Sequence, residues 1–120
     1  MIVEDEAILA MNVQIDLERL GHQVVGIADN GEKALEIAMA ERPEIILMDI
    51  ILKGARSGID ITGIIADMYR CCIIYMTAHT DSATLDRAKQ TRHCGFIHKP
   101  FEQFELKSAI ECALSHPYGE

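Results

Sequence analysis

Apolar positions along this 120-residue chain follow two periods, one suited to helices and one to buried strands. Leu9, Val13, Leu17 and Leu20 recur at helical spacing and are followed by Gly21, so the pattern predicts an amphipathic helix over 7–20 that stops at the glycine. The β-branched run Val24-Val25-Gly26-Ile27 predicts a strand over Gln23 to Ala28. Asp29-Asn30-Gly31 then caps a helix running to Met39 or Ala40, and Pro43 closes it. A strand begins near Glu44 and carries Ile45-Ile46-Leu47-Met48. After the polar loop Lys53 to Gly58, the spacing of Ile61, Ile64, Ile65 and Met68 predicts a helix over Ile59 to Tyr69. Cys72 to Met76 reads as another strand. The segment His79 to His93 has only Ala83, Leu85 and Ala88 as apolar support for a helix. Gly95 to His98 forms the last strand, and Phe104, Leu106, Ile110, Ala113 and Leu114 mark a final helix over Gln103 to Leu114.

The order is strand then helix, five times over. Several strands are apolar almost throughout, as parallel strands covered on both faces must be, which predicts an α/β fold. The length and 49% hydrophobic content suit one domain spanning 1–120. A net charge of −8 argues against a direct, nonspecific grip on nucleic-acid phosphates. No apolar stretch approaches the roughly 20 residues of a membrane helix, and no signal-peptide pattern opens the chain, so a cytoplasmic protein is expected. Cys71, Cys72, Cys94 and Cys112 lack CxxC spacing, and the five histidines lack the paired spacing of a zinc site; reduced packing thiols are the expected state.

Each apolar strand ends in a polar signature: Glu4-Asp5 after Ile2-Val3, Asp49 after Met48, Thr77 after Met76, and Lys99-Pro100 after His98. In a parallel sheet these all arrive at the carboxyl-end edge, where open α/β sheets hold ligands. Singly, each has an ordinary reading as an acidic turn, a strand end, a cap or a solvated loop. Jointly, they gather carboxylates, a hydroxyl and an ammonium. Two carboxylates about 4 Å apart repel by roughly 4 kcal/mol at an effective dielectric near 20, so three in one cleft call for a cation or a shared proton. Mg²⁺ suits such oxygen donors.

Val3-Glu4-Asp5-Glu6, Met48-Asp49-Ile50, Met76-Thr77-Ala78 and Lys99-Pro100-Phe101 resemble, in order and spacing, the receiver domain of two-component response regulators. The resemblance covers nearly the whole chain. It implies a flavodoxin-like, doubly wound fold with a five-stranded parallel sheet of order 2-1-3-4-5. It also implies that Asp49 accepts a phosphoryl group from a histidine kinase or phosphotransfer protein. By position, Asp5, Asp49 and the Ile51 backbone carbonyl would ligate Mg²⁺ or Mn²⁺, with Glu4 acting directly or through water. Thr77 and Lys99 would contact phosphoryl oxygens. Phe96 stands where the family carries an aromatic switch, and Ile51 and His79 stand where it tunes acyl-phosphate lifetime. The face of the fourth helix, fifth strand and fifth helix would meet an output partner or a second copy. A cis bond before Pro100 is implied too.

The chain departs from the receiver pattern in its short first strand, Ile2-Val3, from which an upstream extension of the natural chain is expected, and in Lys53, where many receivers have proline. Three other functions compete. A haloacid-dehalogenase-type phosphohydrolase would need a second aspartate two residues past Asp49, where Ile51 stands. An FMN carrier would need a Ser/Thr/Gly-rich first loop rather than Glu4-Asp5-Glu6. A docking module that is never phosphorylated would keep the fold and lose the chemistry.

Overall fold

A computed structural model gives the structure of residues 1–54, 56–78 and 81–115. The elements are β1 (Ile2–Val3), α1 (Ala7–Arg19), β2 (Ile27–Ala28), α2 (Gly31–Glu41), β3 (Ile45–Asp49), α3 (Gly58–Met68), β4 (Cys72–Thr77), α4 (Ser82–Lys89), β5 (Gly95–His98) and α5 (Gln103–Ser115). The five strands form one sheet in the order β2-β1-β3-β4-β5, and every adjacent pair is parallel. This is the flavodoxin-like arrangement that the family resemblance implies, and its parallel strands are those the apolar runs predict.

Strand periodicity explains why the runs are apolar throughout. Along β3 and β4, Ile46, Met48, Ile73 and Tyr75 pack into a core with Ala34 and Ala38 of α2 and Ile61 and Ile65 of α3. The alternate residues Leu47, Cys72, Ile74 and Met76 enter a second core with Ala10, Val13 and Leu17 of α1 and Leu106, Ile110 and Ala113 of α5. Each face of the sheet is covered, so no polar side of the strands is needed.

Local chemistry sets the helix starts. The Asn30 side chain accepts from the Lys33 amide at 2.9 Å, and Asp81 accepts from the Thr84 amide at 2.8 Å. Ser57 and Asp60 form a reciprocal capping box at the head of α3. Arg42 ends α2 in the left-handed region at φ 43°, immediately before Pro43.

Two elements differ from the sequence reading. β2 covers only Ile27–Ala28 rather than Gln23 to Ala28, because the strand ladder exists only where β1 lies alongside, with Ile2 opposite Ile27 and Val3 opposite Ala28. The fourth helix is Ser82–Lys89 rather than 79–93. Asp81 caps it, and beyond it the Thr91 hydroxyl donates to the Ala88 carbonyl at 2.6 Å. His79 and the tail 116–120 lie outside the described residues.

The peptide bond before Pro100 is cis. No described helix is long and apolar enough to cross a membrane. A cavity of about 440 Å³, lined by Met1, Val24, Arg42, Ile45 and Leu47 among others, opens at the amino-end edge of the sheet. That is the edge away from the strand-end signatures.

Candidate functional site at the carboxyl-end edge

Parallel pairing delivers the polar signatures to one edge. Glu4 and Asp5 follow β1, Asp49 ends β3, Thr77 ends β4 and Lys99 follows β5. Ligand oxygens of Glu4, Asp5 and Asp49 lie within 4.8 Å of one another. Glu4 is 1% exposed and Asp49 7%, while Asp5 is half-buried. The Glu6 amide donates to Glu4 Oε2 and the Ile51 amide to Asp49 Oδ1, each at 3.1 Å. Lys99 Nζ lies 2.5 Å from Glu4 Oε1 and 3.1 Å from Asp49 Oδ2. The Lys99 amide donates to the Thr77 carbonyl at 2.6 Å, so the backbone that presents the ammonium is tied to the neighbouring strand.

Those distances sort the two buried carboxyls. Burial opposes ionisation of Glu4, but the Lys99 ammonium, Asp49 and the Glu6 amide outweigh it, and its pKa falls below the ordinary value. Asp49 is pushed up to about 7 by burial and by Glu4, with Lys99 only partly offsetting them. Burial also disfavours the charged form of Lys99, yet Glu4 and Asp49 raise its pKa, so it stays an ammonium. With all three carboxyls ionised, one ammonium would leave an excess of two negative charges in a mostly buried cleft, which is what holds Asp49 back from ionising. An oxygen-only donor set with that deficit fits a hard divalent cation such as Mg²⁺.

Behind Asp49 the backbone is packed without clearance. A Cβ on Gly58 would stand 2.0 Å from the Asp49 carbonyl oxygen, and the Gly58 amide donates to the Ile50 carbonyl at 2.8 Å. Glycine at the head of α3 therefore lets that helix close against the end of β3. In the sequence Gly58 reads only as the end of a polar loop; its contact partner is close in space and leaves no signal in the local pattern.

Thr77 is buried, and its hydroxyl is turned toward β5, 3.1 Å from His98 Nδ1 and 3.5 Å from the Ile97 carbonyl. In the sequence His98 belongs to the last strand and, by the resemblance, to the partner-meeting face; the signal for its contact with Thr77 was its position immediately before Lys99. Phe96 is half-buried, its ring 5.4 Å from that of Tyr75 and 4.9 Å from that of His93. Ile51 is 62% exposed at the mouth of the cleft. The structure thus brings Glu4, Asp5, Asp49 and Lys99 together, holds Thr77 one strand away, and leaves Phe96 outside the acidic cluster.

The chain matches the response regulator receiver domain family over residues 1–111. It is 33% identical over 115 residues to the transcriptional regulatory protein PdtaR of Mycobacterium tuberculosis, covering 96% of this chain and 56% of that protein. It is 31% identical over 115 residues to the phyllosphere-induced regulator PhyR of Methylorubrum extorquens, covering 95% of this chain and 42% of that one. The chain therefore spans about half the length of these relatives. Among solved structures, the signal receiver domain of a modulated diguanylate cyclase from Desulfovibrio desulfuricans G20 superposes with a TM-score of 0.90 at 38% identity, covering 96% of this chain and 91% of that one. On a family match across 111 of its 120 residues and a sheet of the same order, the chain belongs to the response regulator receiver domains, the signalling modules of two-component systems.

Proposed function

We propose that this receiver takes a phosphoryl group onto Asp49 from a phosphohistidine on a sensor histidine kinase or phosphotransfer protein. In that step the N–P bond of the donor breaks, an Oδ–P bond forms on Asp49, and the departing imidazole takes up a proton. The observation that carries the reading is the convergence of Glu4, Asp5 and Asp49 within 4.8 Å, with Lys99 in contact with two of them. Asp5, Asp49 and the Ile51 backbone carbonyl would hold Mg²⁺ or Mn²⁺, with Glu4 directly or through water. The metal, when bound, offsets the charge of the incoming phosphoryl group.

The residues of the chain do the rest. Asp49 must be ionised to attack, and relief of its raised pKa requires added positive charge beside Glu4. Lys99 is held by strand β5 and the Thr77 carbonyl, so it can move from Asp49 Oδ2 to a phosphoryl oxygen without a large backbone change. Thr77 supplies a hydroxyl donor to another oxygen. Ile51, exposed at the mouth, limits the approach of water to the acyl phosphate, and His79 acts on the same lifetime. Phosphorylation would alter the α4-β5-α5 face through Thr77 and Phe96, and that face would meet an output partner or a second copy. The domain signals rather than turning over a substrate; self-dephosphorylation is its one hydrolytic step. We place it in the cytoplasm, within a regulator that can carry further domains.

The test is incubation with Mg²⁺ and acetyl phosphate followed by intact mass. The expected result is one phosphoryl increment that requires Mg²⁺, is lost in alkali and is absent from Asp49→Asn. No increment from acetyl phosphate or from a panel of phosphorylated kinases would reject the acceptor role and leave an unphosphorylated docking module.

A further inference from the structure

Strand order decides where the Thr77 hydroxyl points. β4 lies between β3, which carries Asp49, and β5, which carries His98. Thr77 is paired in register with His98, so their side chains emerge on the same side of the sheet. The hydroxyl is 3.1 Å from His98 Nδ1, a full hydrogen bond, and 3.5 Å from the Ile97 carbonyl, at the weak end of the range. Asp49 has other partners: Lys99 and the Ile51 amide. A hydroxyl turned toward β5 does not serve a phosphoryl group on β3. It has to rotate across β4, and rotation breaks the bond to His98 whichever of the two atoms is the donor.

We propose that His98 is a positioning residue that holds the Thr77 hydroxyl on the β5 side and thereby sets how easily the phosphorylated site is completed. The inference rests on the acceptor role proposed above and adds a residue to it. His98 touches neither Asp49 nor the acidic cluster in any contact found among the described residues; it acts through Thr77 alone. His98 is an exposed residue, so it can be replaced without opening the core. Breaking one neutral hydrogen bond before another forms weakens completion of the site by roughly three- to tenfold. Removing the ring nitrogen lifts that handicap.

The test measures the affinity of the Mg²⁺-loaded protein for beryllofluoride, a phosphoryl mimic that binds an ionised aspartate without needing a kinase. Five proteins are compared: the unsubstituted chain, His98→Phe, His98→Asn, Thr77→Ala and the pair His98→Phe/Thr77→Ala, for which Thr77→Ala is the reference. Phe keeps the ring and loses the nitrogen, and should tighten binding by roughly three- to tenfold. Asn restores a short polar group near the Nδ1 position and should return affinity toward that of the unsubstituted chain. In the Thr77→Ala background the His98→Phe gain should vanish, because the hydroxyl that His98 holds is gone. A gain that persists without Thr77, or no gain at all, overturns the inference while leaving the acceptor role intact. Failure of the unsubstituted chain to bind beryllofluoride overturns the acceptor role and this inference with it.

Discussion

At the residue scale, Lys99 stands between two carboxyls and serves them unequally, being 2.5 Å from Glu4 and 3.1 Å from Asp49. Glu4 is the stabilised anion of the pair, and Asp49 keeps a pKa near 7 in the metal-free cleft. The two therefore have opposite effects on stability. A raised carboxyl contributes stability below its unfolded pKa, near 4, and loses it as pH rises through the folded value. Metal-free protein should thus lose stability on Asp49's account between about pH 4 and pH 7, while Glu4 contributes stability above its unfolded pKa and loses it as pH falls. Urea unfolding in EDTA should show Asp49→Asn gaining on the unsubstituted chain across that window, by about 1 kcal/mol at pH 8 once solvent screening is allowed for. A difference independent of pH would contradict the assignment. Lys99→Met leaves both carboxyls without a counter-ion and should cost about 2 kcal/mol, less than for a wholly buried pair, with Mg²⁺ narrowing the gap. A gap unchanged by Mg²⁺ would mean Lys99 supports the fold by packing alone. The acids and the lysine were legible because each directly follows an apolar run. The contact of Thr77 with His98 was not, because it depends on strand register and a side-chain rotamer.

At the element scale, α3 shows how two glycines five residues apart take opposite roles. A Cβ at Gly58 would meet the Asp49 carbonyl oxygen at 2.0 Å and the Asp49 carbonyl carbon at 2.9 Å, both of them backbone atoms. Neither atom can give way without moving the end of β3. Gly58→Ala should destabilise the protein by about 2 kcal/mol or more and displace Asp49, seen as weaker Mg²⁺ binding as well as a lower Tm. Gly63 sits on the exposed side of the same helix with nothing within 4 Å of its would-be Cβ. Gly63→Ala should raise stability by about 0.5–1 kcal/mol and leave Mg²⁺ affinity unchanged. If both substitutions were neutral, α3 would not be closed against β3 as described. Elements with strong periodicity, such as α1 and α5, lay within a residue or two of their predicted bounds. The weakly apolar stretch around α4 did not, because its length is set by the Asp81 cap and by Thr91, whose hydroxyl also meets Tyr75 at 2.7 Å. β2 was overread because its β-branched residues signal burial, and Val24 and Val25 are packed against the cores without joining the ladder.

At the scale of the whole molecule, the fold class was legible because continuous apolar runs admit little besides a parallel sheet covered on both faces, and that sheet puts every strand's end at one edge, whereas the strand order came only through the family resemblance. Which cavity matters was not legible from volume, since a cavity of about 440 Å³ lies at the opposite edge. The acidic cleft draws on residues 4, 5 and 49, with Lys99 coming from the far side of the sheet, so a cation bound there ties together strands distant in sequence. Unfolding must release it. Occupancy at a hundred times the dissociation constant stabilises by about 2.7 kcal/mol, which for a domain of this size shifts Tm by roughly ten degrees. The rival explanation is that Mg²⁺ merely screens a chain of net charge −8. Thermal melts at matched ionic strength separate the two. Site binding predicts that Mg²⁺ raises Tm well beyond Na⁺, and that Asp5→Asn and Asp49→Asn each lose most of the difference. Screening predicts equal shifts in all three proteins and with either salt, because removing one charge from an excess of eight changes little. An equal response would leave the convergence of Glu4, Asp5 and Asp49 without a cation to explain it.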